Sequence, residues 1–282
     1  MRPTRIALFG NCQVEALERV LRLALPDRGF EIACLANNPF TGEMLPTEGI
    51  LETLGRADVV VFQPLGKRFG VLSQSSLRES LSNTVLTFPR LFNAGIAGLC
   101  FAPLATRAPS NTYGGEMIVK LLEQGVTPAE IKRRYREGGI DFELPRRFDE
   151  CVEIMRRRES STDIVFADYI EANHRSKRLF LTHNHPATPL FVELSRQIAT
   201  LSALPIDLVR IHSVRGNNIG GLPQGYAPIS PFDADALGYE FPFDPNWYEA
   251  GSMVIDHIAQ SHLGNQPARD TGAALIAAAR AG

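Results

Sequence analysis

Short apolar runs alternate with segments of helical periodicity over the first half of the chain. The apolar runs predict strands at residues 5–9, 30–35, 58–63 and 83–88. Recurring apolar positions at helical spacing predict helices at residues 14–24, 48–55 and 74–82. The third apolar run is continuously β-branched or aromatic, as expected of a strand that is covered on both faces. Strands that alternate with helices favour a mostly parallel central sheet joined by crossover helices.

The second half of the chain has a mainly helical pattern. A capping box from Thr127 to Glu130, with Pro128 at the first helical position, predicts a helix that ends at Gly138 and Gly139. Further helices are predicted at residues 148–158, 162–172, 188–201 and 250–262, and a strand at residues 178–181. Residues 215–249 are rich in Gly, Pro, Asn and aromatic side chains, which predicts a long irregular loop of functional or mobile character.

The length of the chain is sufficient for one large domain. It has 282 residues, of which 44% are hydrophobic, and we predict a single α/β domain over residues 1–264 with a tail over residues 265–282. The domain is expected to combine a mostly parallel central sheet flanked by helices with an enlarged helical second half.

Charge and cysteine content restrict the partners and the compartment. The formal net charge is −2, which is not the pattern of a nucleic-acid-binding protein. No apolar run approaches the roughly 20 residues of a membrane span, and the N-terminal apolar run of about five residues is shorter than the roughly 7–15 residues of a secretory signal. The four cysteines show neither CxxC nor zinc-finger spacing. We therefore predict a soluble cytoplasmic protein with reduced thiols and without membrane insertion or nucleic-acid partners.

A cysteine stands at the predicted turn between the first strand and the first helix. In the segment Gly10-Asn11-Cys12-Gln13, the thiol follows the carboxyl end of a strand, where open α/β sheets bind ligands. The unpaired amides and the dipole of the helix are expected to lower the pKa of Cys12 and to stabilise an oxyanion. Asn11 and Gln13 offer further amide donors. The alternative is a small cysteine that only packs.

Two histidines follow the predicted strand at residues 178–181. His183 and His185 are expected at a carboxyl end of the sheet, facing the same way, with one as a general base and the other orienting or binding the substrate. The alternatives are a surface loop and an incomplete metal site. No third ligand has clear spacing, so no metal is predicted.

Other polar residues follow the third and fourth strands. Gln63 ends the third apolar run, and Lys67 and Arg68 come shortly after it. Arg90 and Asn93 follow the fourth strand. The cationic side chains are candidates for binding phosphates, and Asn93 is a candidate oxyanion donor. The alternatives are a solvated charged turn and a turn capped by Asn93.

The sequence resembles the WcbI-type polysaccharide biosynthesis proteins. The resemblance rests on "RIALFGNCQ", "VVVFQPL" and "LTHNHP", which occur in this order, and it extends to about His262. It implies a coenzyme A-binding protein that acts as an acetyltransferase on a capsular sugar. The chain is also similar, more loosely, to the SGNH hydrolases. An SGNH-like core would place Cys12 at the position of their serine, but Phe180 and Thr182 stand where their Asp would precede the histidine, so a Cys–His dyad is expected.

The resulting functional hypothesis is acyl transfer from acyl-CoA to a carbohydrate hydroxyl. Cys12 would be the nucleophile or line the acyl site, and His183 or His185 would be the base. Gly10, Gln63, Lys67, Arg68 and Arg90 are the expected contacts to the coenzyme, which is coenzyme A or acetyl-CoA. The aromatic residues near the C-terminus would cover the site or stack on a sugar, or form a separate hydrophobic cluster: Tyr226, Phe241, Phe243, Trp247 and Tyr248. The alternatives are a cysteine esterase or thioesterase and a non-catalytic module that binds coenzyme A or a sugar.

Overall fold

The structure is a computed structural model that describes residues 2–37, 46–100, 115–212 and 227–262. The chain divides into two compact units. Unit 1 comprises Met1–Leu91, Glu153–Glu171 and Pro186–Leu222, and unit 2 comprises Phe92–Val152, Ala172–His185 and Pro223–Gly282. The prediction of one domain over residues 1–264 stays a prediction, and its tail lies outside the described residues.

Unit 1 contains a four-stranded parallel sheet, as predicted. Its strands are β1 (Thr4–Gly10), β2 (Phe30–Ala36), β3 (Val59–Phe62) and β4 (Thr84–Thr87). Their order is β2-β1-β3-β4, and every neighbouring pair is parallel. The register pairs Leu8 of the central strand β1 with Cys34 on one side and Val61 on the other. All four residues of β3 are buried, which confirms the prediction of a strand covered on both faces.

Helices flank this sheet and cover its hydrophobic faces. They are α1 (Cys12–Ala24), α2 (Thr47–Arg56), α3 (Gln74–Ser80), α8 (Thr188–Ser202) and α9 (Leu208–His212), with a 3-10 helix at Lys67–Leu72. Helix α1 contacts β1 and β2, α2 contacts β1, and α8 contacts β4. The apolar stripe of α1 is fully buried, with Val14, Leu17 and Leu21 each 0% exposed. The core of unit 1 therefore forms between the apolar stripes of these helices and the faces of the sheet.

Unit 2 is mainly helical, as the sequence predicts for the second half of the chain. Its described elements are α4 (Gly115–Glu123), α5 (Pro128–Arg136), α10 (Pro231–Leu237), α11 (Trp247–His262) and β5 (Phe180–Thr182). Helices α6 (Leu144–Glu159) and α7 (Ala167–Asn173) each include residues of both units. Helix α11 packs on α4 and α5, and the side chain of Thr127 accepts from Glu130 N to begin α5 as predicted.

The position predicted for the histidine strand is wrong. Strand β5 pairs only with the two-residue strand β6 (His185–Pro186), and within the described residues it does not join the parallel sheet. Local pairing across the turn at His183 and Asn184 forms a hairpin of its own. A short apolar run followed by a turn is compatible with a sheet strand or a hairpin strand, and periodicity does not distinguish them.

The predicted loop at residues 215–249 is not irregular throughout, because residues 227–249, which the structure describes, include helical segments. Helix α10 interrupts it, because Ser230 and Asp233 form a reciprocal capping box with Pro231 at the first helical turn. Helix α11 then begins at Trp247 rather than at residue 250. Residues 215–226, including Tyr226, lie outside the described residues. Of the described helices, none is long and apolar enough to cross a membrane.

Candidate functional site

The turn after β1 is fixed by the side chain of Asn11. Asn11 has an extended backbone (φ −79°, ψ −166°), and its side-chain oxygen accepts from Gln13 N at 2.9 Å. Asn11 is therefore the N-cap of α1, and Cys12 is the first residue of the helix. This cap places the Cys12 backbone at the carboxyl end of the central strand, where the sequence predicts it.

Two buried glutamines form hydrogen bonds to the turn and to each other. Gln63 Oε1 accepts from Asn11 N at 2.9 Å, and Gln63 Nε2 donates to Gln13 Oε1 at 2.8 Å. Gln13 Nε2 then donates to Leu91 O at 2.7 Å, and Leu91 N donates back to Gln13 Oε1 at 3.1 Å. Gln13 is 0% exposed and Gln63 is 6% exposed. The network joins the ends of β1 and β3 to the segment after β4, so both amides position the turn.

Gly10 is the position where this turn admits no side chain. A Cβ at Gly10 would lie 2.7 Å from Gln63 Oε1 and 2.9 Å from Val14 Cγ1. Both distances are shorter than any normal contact, and Gln63 is held in place by its own hydrogen bonds. Gly10 is therefore required for close packing between the glutamine pair and α1. The predicted contact of Gly10 and Gln63 with a coenzyme stays a prediction.

The environment of the Cys12 thiol differs from the expected one. The side chain is partly buried, and this burial raises the pKa of Cys12 above its usual range. The carboxylate of Glu15, three residues later on α1, raises the pKa further, while Arg90 opposes the shift. The prediction of a lowered thiol pKa is therefore wrong, because desolvation and Glu15 outweigh Arg90 and the backbone hydrogen bond at Cys12. The thiol needs a base or a further cation to become a thiolate at neutral pH.

Three exposed cationic side chains occupy the segments that follow β3 and β4. Lys67 and Arg68 begin the 3-10 helix, which bends at Gly70 (φ 56°). The Arg68 guanidinium lies 5.0 Å from the centroid of the Phe69 ring. Arg90 follows β4 and is also exposed. These positions are compatible with binding phosphates from solvent, and that role stays a prediction.

The histidine hairpin of unit 2 is buried. His183 is 0% exposed and His185 is 5% exposed, which argues against the alternative of a surface loop. Burial lowers the pKa of His185 to about 4. Burial and the nearby Arg147 hold the pKa of His183 well below its usual range. Both imidazoles are therefore neutral at physiological pH and able to accept a proton.

Asn93 holds this hairpin from the side. Its backbone N–H donates to His183 O at 2.8 Å, and its side-chain oxygen accepts from Gly95 N at 2.8 Å. Its Nδ2 also donates weakly to Phe148 O at 3.5 Å. Asn93 is 1% exposed, and these contacts match the alternative of a turn cap. Its predicted role as an oxyanion donor stays a prediction.

Comparison with known proteins gives a family match over most of the chain. A family model described as the polysaccharide biosynthesis enzyme WcbI matches residues 5–206. The chain belongs to the WcbI family. The matched range includes the Cys12 turn, the glutamine pair and the histidine hairpin. The family resemblance drawn from the motifs is thereby confirmed, and the family is described as enzymatic.

The fold of this WcbI-family chain is also that of a solved structure. It aligns with a WcbI structure at a TM-score of 0.60 and 18% sequence identity, covering 99% of each chain. That protein is described as a novel polysaccharide biosynthesis enzyme, in a native form without a disulfide bond between coenzyme A and one of its cysteines. No curated protein matches the chain.

The predicted site residues of this WcbI-family chain fall into two groups. Unit 1 brings Asn11, Gln13 and Gln63 into one network beside Cys12, and it also contains Gly10, Lys67, Arg68 and Arg90. Unit 2 brings Asn93 and His183 together and contains His185. Among the described residues, no group of three or more His, Cys, Asp or Glu side chains is arranged to hold a metal ion.

Two charged residues that no motif includes influence the candidate groups. Glu15 stands three positions after Cys12 on a predicted helix, and this spacing was a usable signal for its effect on the thiol. Arg147 influences His183 from α6, and the sequence separation of these residues carries no such signal.

Proposed function

We propose that this protein transfers an acyl group, with acetyl as the leading candidate, from acyl-CoA to a hydroxyl of a polysaccharide or sugar precursor. Membership of a family of polysaccharide biosynthesis enzymes supports the sugar acceptor. The description of the solved relative, which names coenzyme A and a cysteine, supports the acyl donor. The proposed partners are therefore a small-molecule acyl donor and a carbohydrate.

The observation that carries the proposal is the position of Cys12 as the first residue of α1, at the carboxyl end of β1. A cap and two buried glutamines hold its neighbours Asn11 and Gln13 by hydrogen bonds. Cys12 is proposed as the nucleophile or as a residue lining the acyl site. As nucleophile, its thiolate attacks the thioester carbonyl, the bond to the coenzyme sulfur breaks, and the coenzyme leaves as a thiol after taking up a proton.

The second step transfers the acyl group to the acceptor. The sugar hydroxyl attacks the Cys12 thioester, its proton passes to a base, and the ester product leaves as the Cys12 thiolate is released. Backbone amides at the start of α1 and the side chain of Asn93 are proposed as oxyanion donors.

His185 or His183 is the proposed base. Burial keeps both imidazoles neutral at physiological pH, so each has an unprotonated ring nitrogen, and the same burial makes each a weaker base than a solvated histidine. His185 Nδ1 is buried and has no hydrogen-bond partner within the described part of the chain, so this atom is available as an acceptor. The raised pKa of Cys12 makes such a base necessary for forming the thiolate.

Lys67, Arg68 and Arg90 are proposed to bind the phosphates of the coenzyme. All three side chains are exposed. The guanidinium group of an arginine can donate two parallel hydrogen bonds to two oxygens of one phosphate, and the lysine ammonium binds phosphate as a point charge. The proposed compartment is the cytoplasm, because all four cysteines are free thiols, as is usual in reducing surroundings.

Calorimetric titration of coenzyme A into the full-length protein tests this proposal. We expect micromolar binding, which corresponds to about −8 kcal/mol. Arg68→Ala should weaken binding by about 3- to 10-fold, since a charge-assisted hydrogen bond contributes about 1.5–3 kcal/mol before solvent screening.

Arg28→Ala is the matched control, because Arg28 is an exposed arginine of unit 1 that precedes β2 at the amino ends of the strands, whereas Arg68 follows the carboxyl end of β3. It should leave the affinity unchanged. Absence of binding at millimolar coenzyme A would refute the acyl-CoA donor and favour a cysteine hydrolase that uses water as the acceptor.

A further inference from the structure

Unit 2 contains a cavity that the proposed catalytic groups do not use. Its volume is about 480 Å³, which is within the range of small-molecule sites. The walls come from the end of α5, the loop that precedes α6 and the start of α10. All residues that line it belong to unit 2. The cavity combines an aromatic side chain, glycine backbone and two carboxylates.

Phe232 provides the aromatic surface of the cavity. Its ring lies directly on Gly138, where a Cβ would come within 2.5 Å of Phe232 Cδ1. Gly138 also has a φ of +71°, so only glycine fits both the backbone and the ring. Trp247 contacts the Phe232 ring edge-on, with centroids 5.8 Å apart. The ring is thus held on two sides and is still 39% exposed.

The other aromatic side chains of this region are not available to a ligand in the same way. Tyr135 is 2% exposed and Phe142 is 7% exposed, and their rings pack edge-on at 6.3 Å. The Arg136 guanidinium covers one face of the neighbouring Tyr248, 4.0 Å from the ring centroid. The cavity therefore presents one ring as a platform, and it does not form the aromatic cage that binds quaternary ammonium groups.

Two carboxylates supply hydrogen-bond acceptors at the cavity wall. Asp233 is 3% exposed, and its oxygens accept from Ser230 N at 2.9 Å and Gly98 N at 3.2 Å. Asp141 is exposed, and its Oδ1 accepts from Glu143 N at 2.7 Å. Each carboxylate oxygen can accept two hydrogen bonds, so both groups can still accept from a ligand.

The cavity of unit 1 is a weaker candidate for ligand binding. Its volume is about 370 Å³, but three of its polar side chains are bonded to one another. Arg196 pairs with both oxygens of Glu193, and Gln197 bonds to Glu193 and to the backbone of Val165. A ligand there would have to break these bonds, whereas the unit 2 cavity offers unused acceptors.

We propose that the unit 2 cavity binds a neutral sugar ring, stacked on Phe232 and donating hydroxyl hydrogens to Asp141 and Asp233. The apolar C–H face of a pyranose buries its surface against the ring, while its hydroxyls satisfy the carboxylates. The assignment of the ligand class rests on the proposed function, in which a sugar is the acyl acceptor. The cavity is thereby proposed as a sugar-binding site of unit 2.

Trp247 allows this proposal to be tested directly. It is the only tryptophan of the chain and contacts Phe232, so its fluorescence reports on the cavity. The full-length protein is titrated, without coenzyme, with the methyl glycosides of glucose, galactose, mannose and N-acetylglucosamine. We expect a saturable change with at least one glycoside, with a millimolar dissociation constant. Phe232→Ala should weaken that binding by about 10-fold and Asp141→Asn by about 3-fold.

Phe243→Ala is the matched control, because Phe243 is a phenylalanine of the same unit, 45% exposed and away from the cavity. It should bind the glycoside as the wild type does. The proposal is overturned if none of the four glycosides gives a saturable change. It is also overturned if Phe232→Ala and Asp141→Asn both bind the glycoside as tightly as the wild type does. Tighter binding of tetramethylammonium than of every glycoside overturns it in favour of a cation site.

Coenzyme A binding separates the failure of this proposal from failure of the proposed function. Phe232→Ala should bind coenzyme A with wild-type affinity in calorimetry. A wild-type protein that binds a glycoside but not the coenzyme refutes the acyl donor and retains the sugar subsite. A protein that binds the coenzyme but no glycoside refutes only the subsite.

Discussion

The Cys12 turn of unit 1 and the histidine hairpin of unit 2 both contain buried polar side chains, but these are satisfied differently. At the turn, Gln13 and Gln63 satisfy each other and the adjacent backbone with bonds of 2.7–3.1 Å. At the hairpin, His185 is almost fully buried, and its Nδ1 has no partner within the described residues. The turn therefore resembles a positioning scaffold, whereas the hairpin retains an unsatisfied acceptor of the kind that functional sites often keep.

This difference indicates where each group's reactivity comes from. The backbone on both sides of the Cys12 thiol is held by hydrogen bonds, but the pKa of the thiol is raised, so it depends on another group for activation. Burial lowers the pKa of both histidines, so both imidazoles stay neutral at physiological pH. The following predictions test the turn and the hairpin separately.

Cys12→Ser should have the largest effect. If Cys12 is the nucleophile, turnover should fall by about 100-fold or more, equivalent to about 3 kcal/mol of transition-state stabilisation. The affinity for coenzyme A should change little. The measurement is the release of coenzyme thiol from acyl-CoA in the presence of an acceptor glycoside.

The matched control for this prediction is Cys34→Ser, which changes a partly buried thiol on β2. It should keep wild-type turnover. A Cys12→Ser enzyme with unchanged turnover would contradict a covalent role for Cys12 and leave it as an acyl-site residue.

The buried histidines should make the protein sensitive to acid. The unfolded chain binds a proton at His185 near pH 6.5, whereas the folded protein does so only near pH 4. The free energy of unfolding should therefore fall as the pH falls from about 6.5 to about 4, by up to ~3 kcal/mol from this group. Urea unfolding across this pH range measures the slope.

His185→Gln should reduce this pH dependence, while His183 continues to contribute a share of it. The control is His262→Gln, since His262 is exposed on α11 and should leave the slope unchanged. An identical slope in His185→Gln and wild type would show that His185 is not buried in its neutral form.

Gly10→Ala should have a smaller effect, confined to the scaffold. Its Cβ would press on Gln63 and Val14, and overpacking of this kind costs about 1–3 kcal/mol. Gly49→Ala is the comparison, because the space around Gly49 on α2 is empty within 4 Å. It should stabilise the protein by about 0.5–1 kcal/mol through helix propensity. Thermal unfolding measures both, and equal stability of the two variants would refute the close packing at Gly10.

The sequence alone determined the parallel sheet and the location of the Cys12 turn. Apolar strands and amphipathic helices report burial through their periodicity, and an Asn followed by an apolar helical pattern marks a helix start. The motifs around Cys12, Gln63 and His183 were also sufficient to indicate the family. These features depend on residues close together along the chain, or on patterns that persist over whole elements.

Only the tertiary structure decided the electrostatics of the site and the placement of the hairpin. The raised pKa of Cys12 reflects how deeply the turn is packed, which no local spacing of apolar residues records. The side-chain bond between Gln13 and Gln63 joins residues 50 positions apart. Strand β5 pairs locally rather than in the parallel sheet. The physical reason is the same in each case, because desolvation and hydrogen bonding depend on neighbours that folding brings from distant parts of the chain.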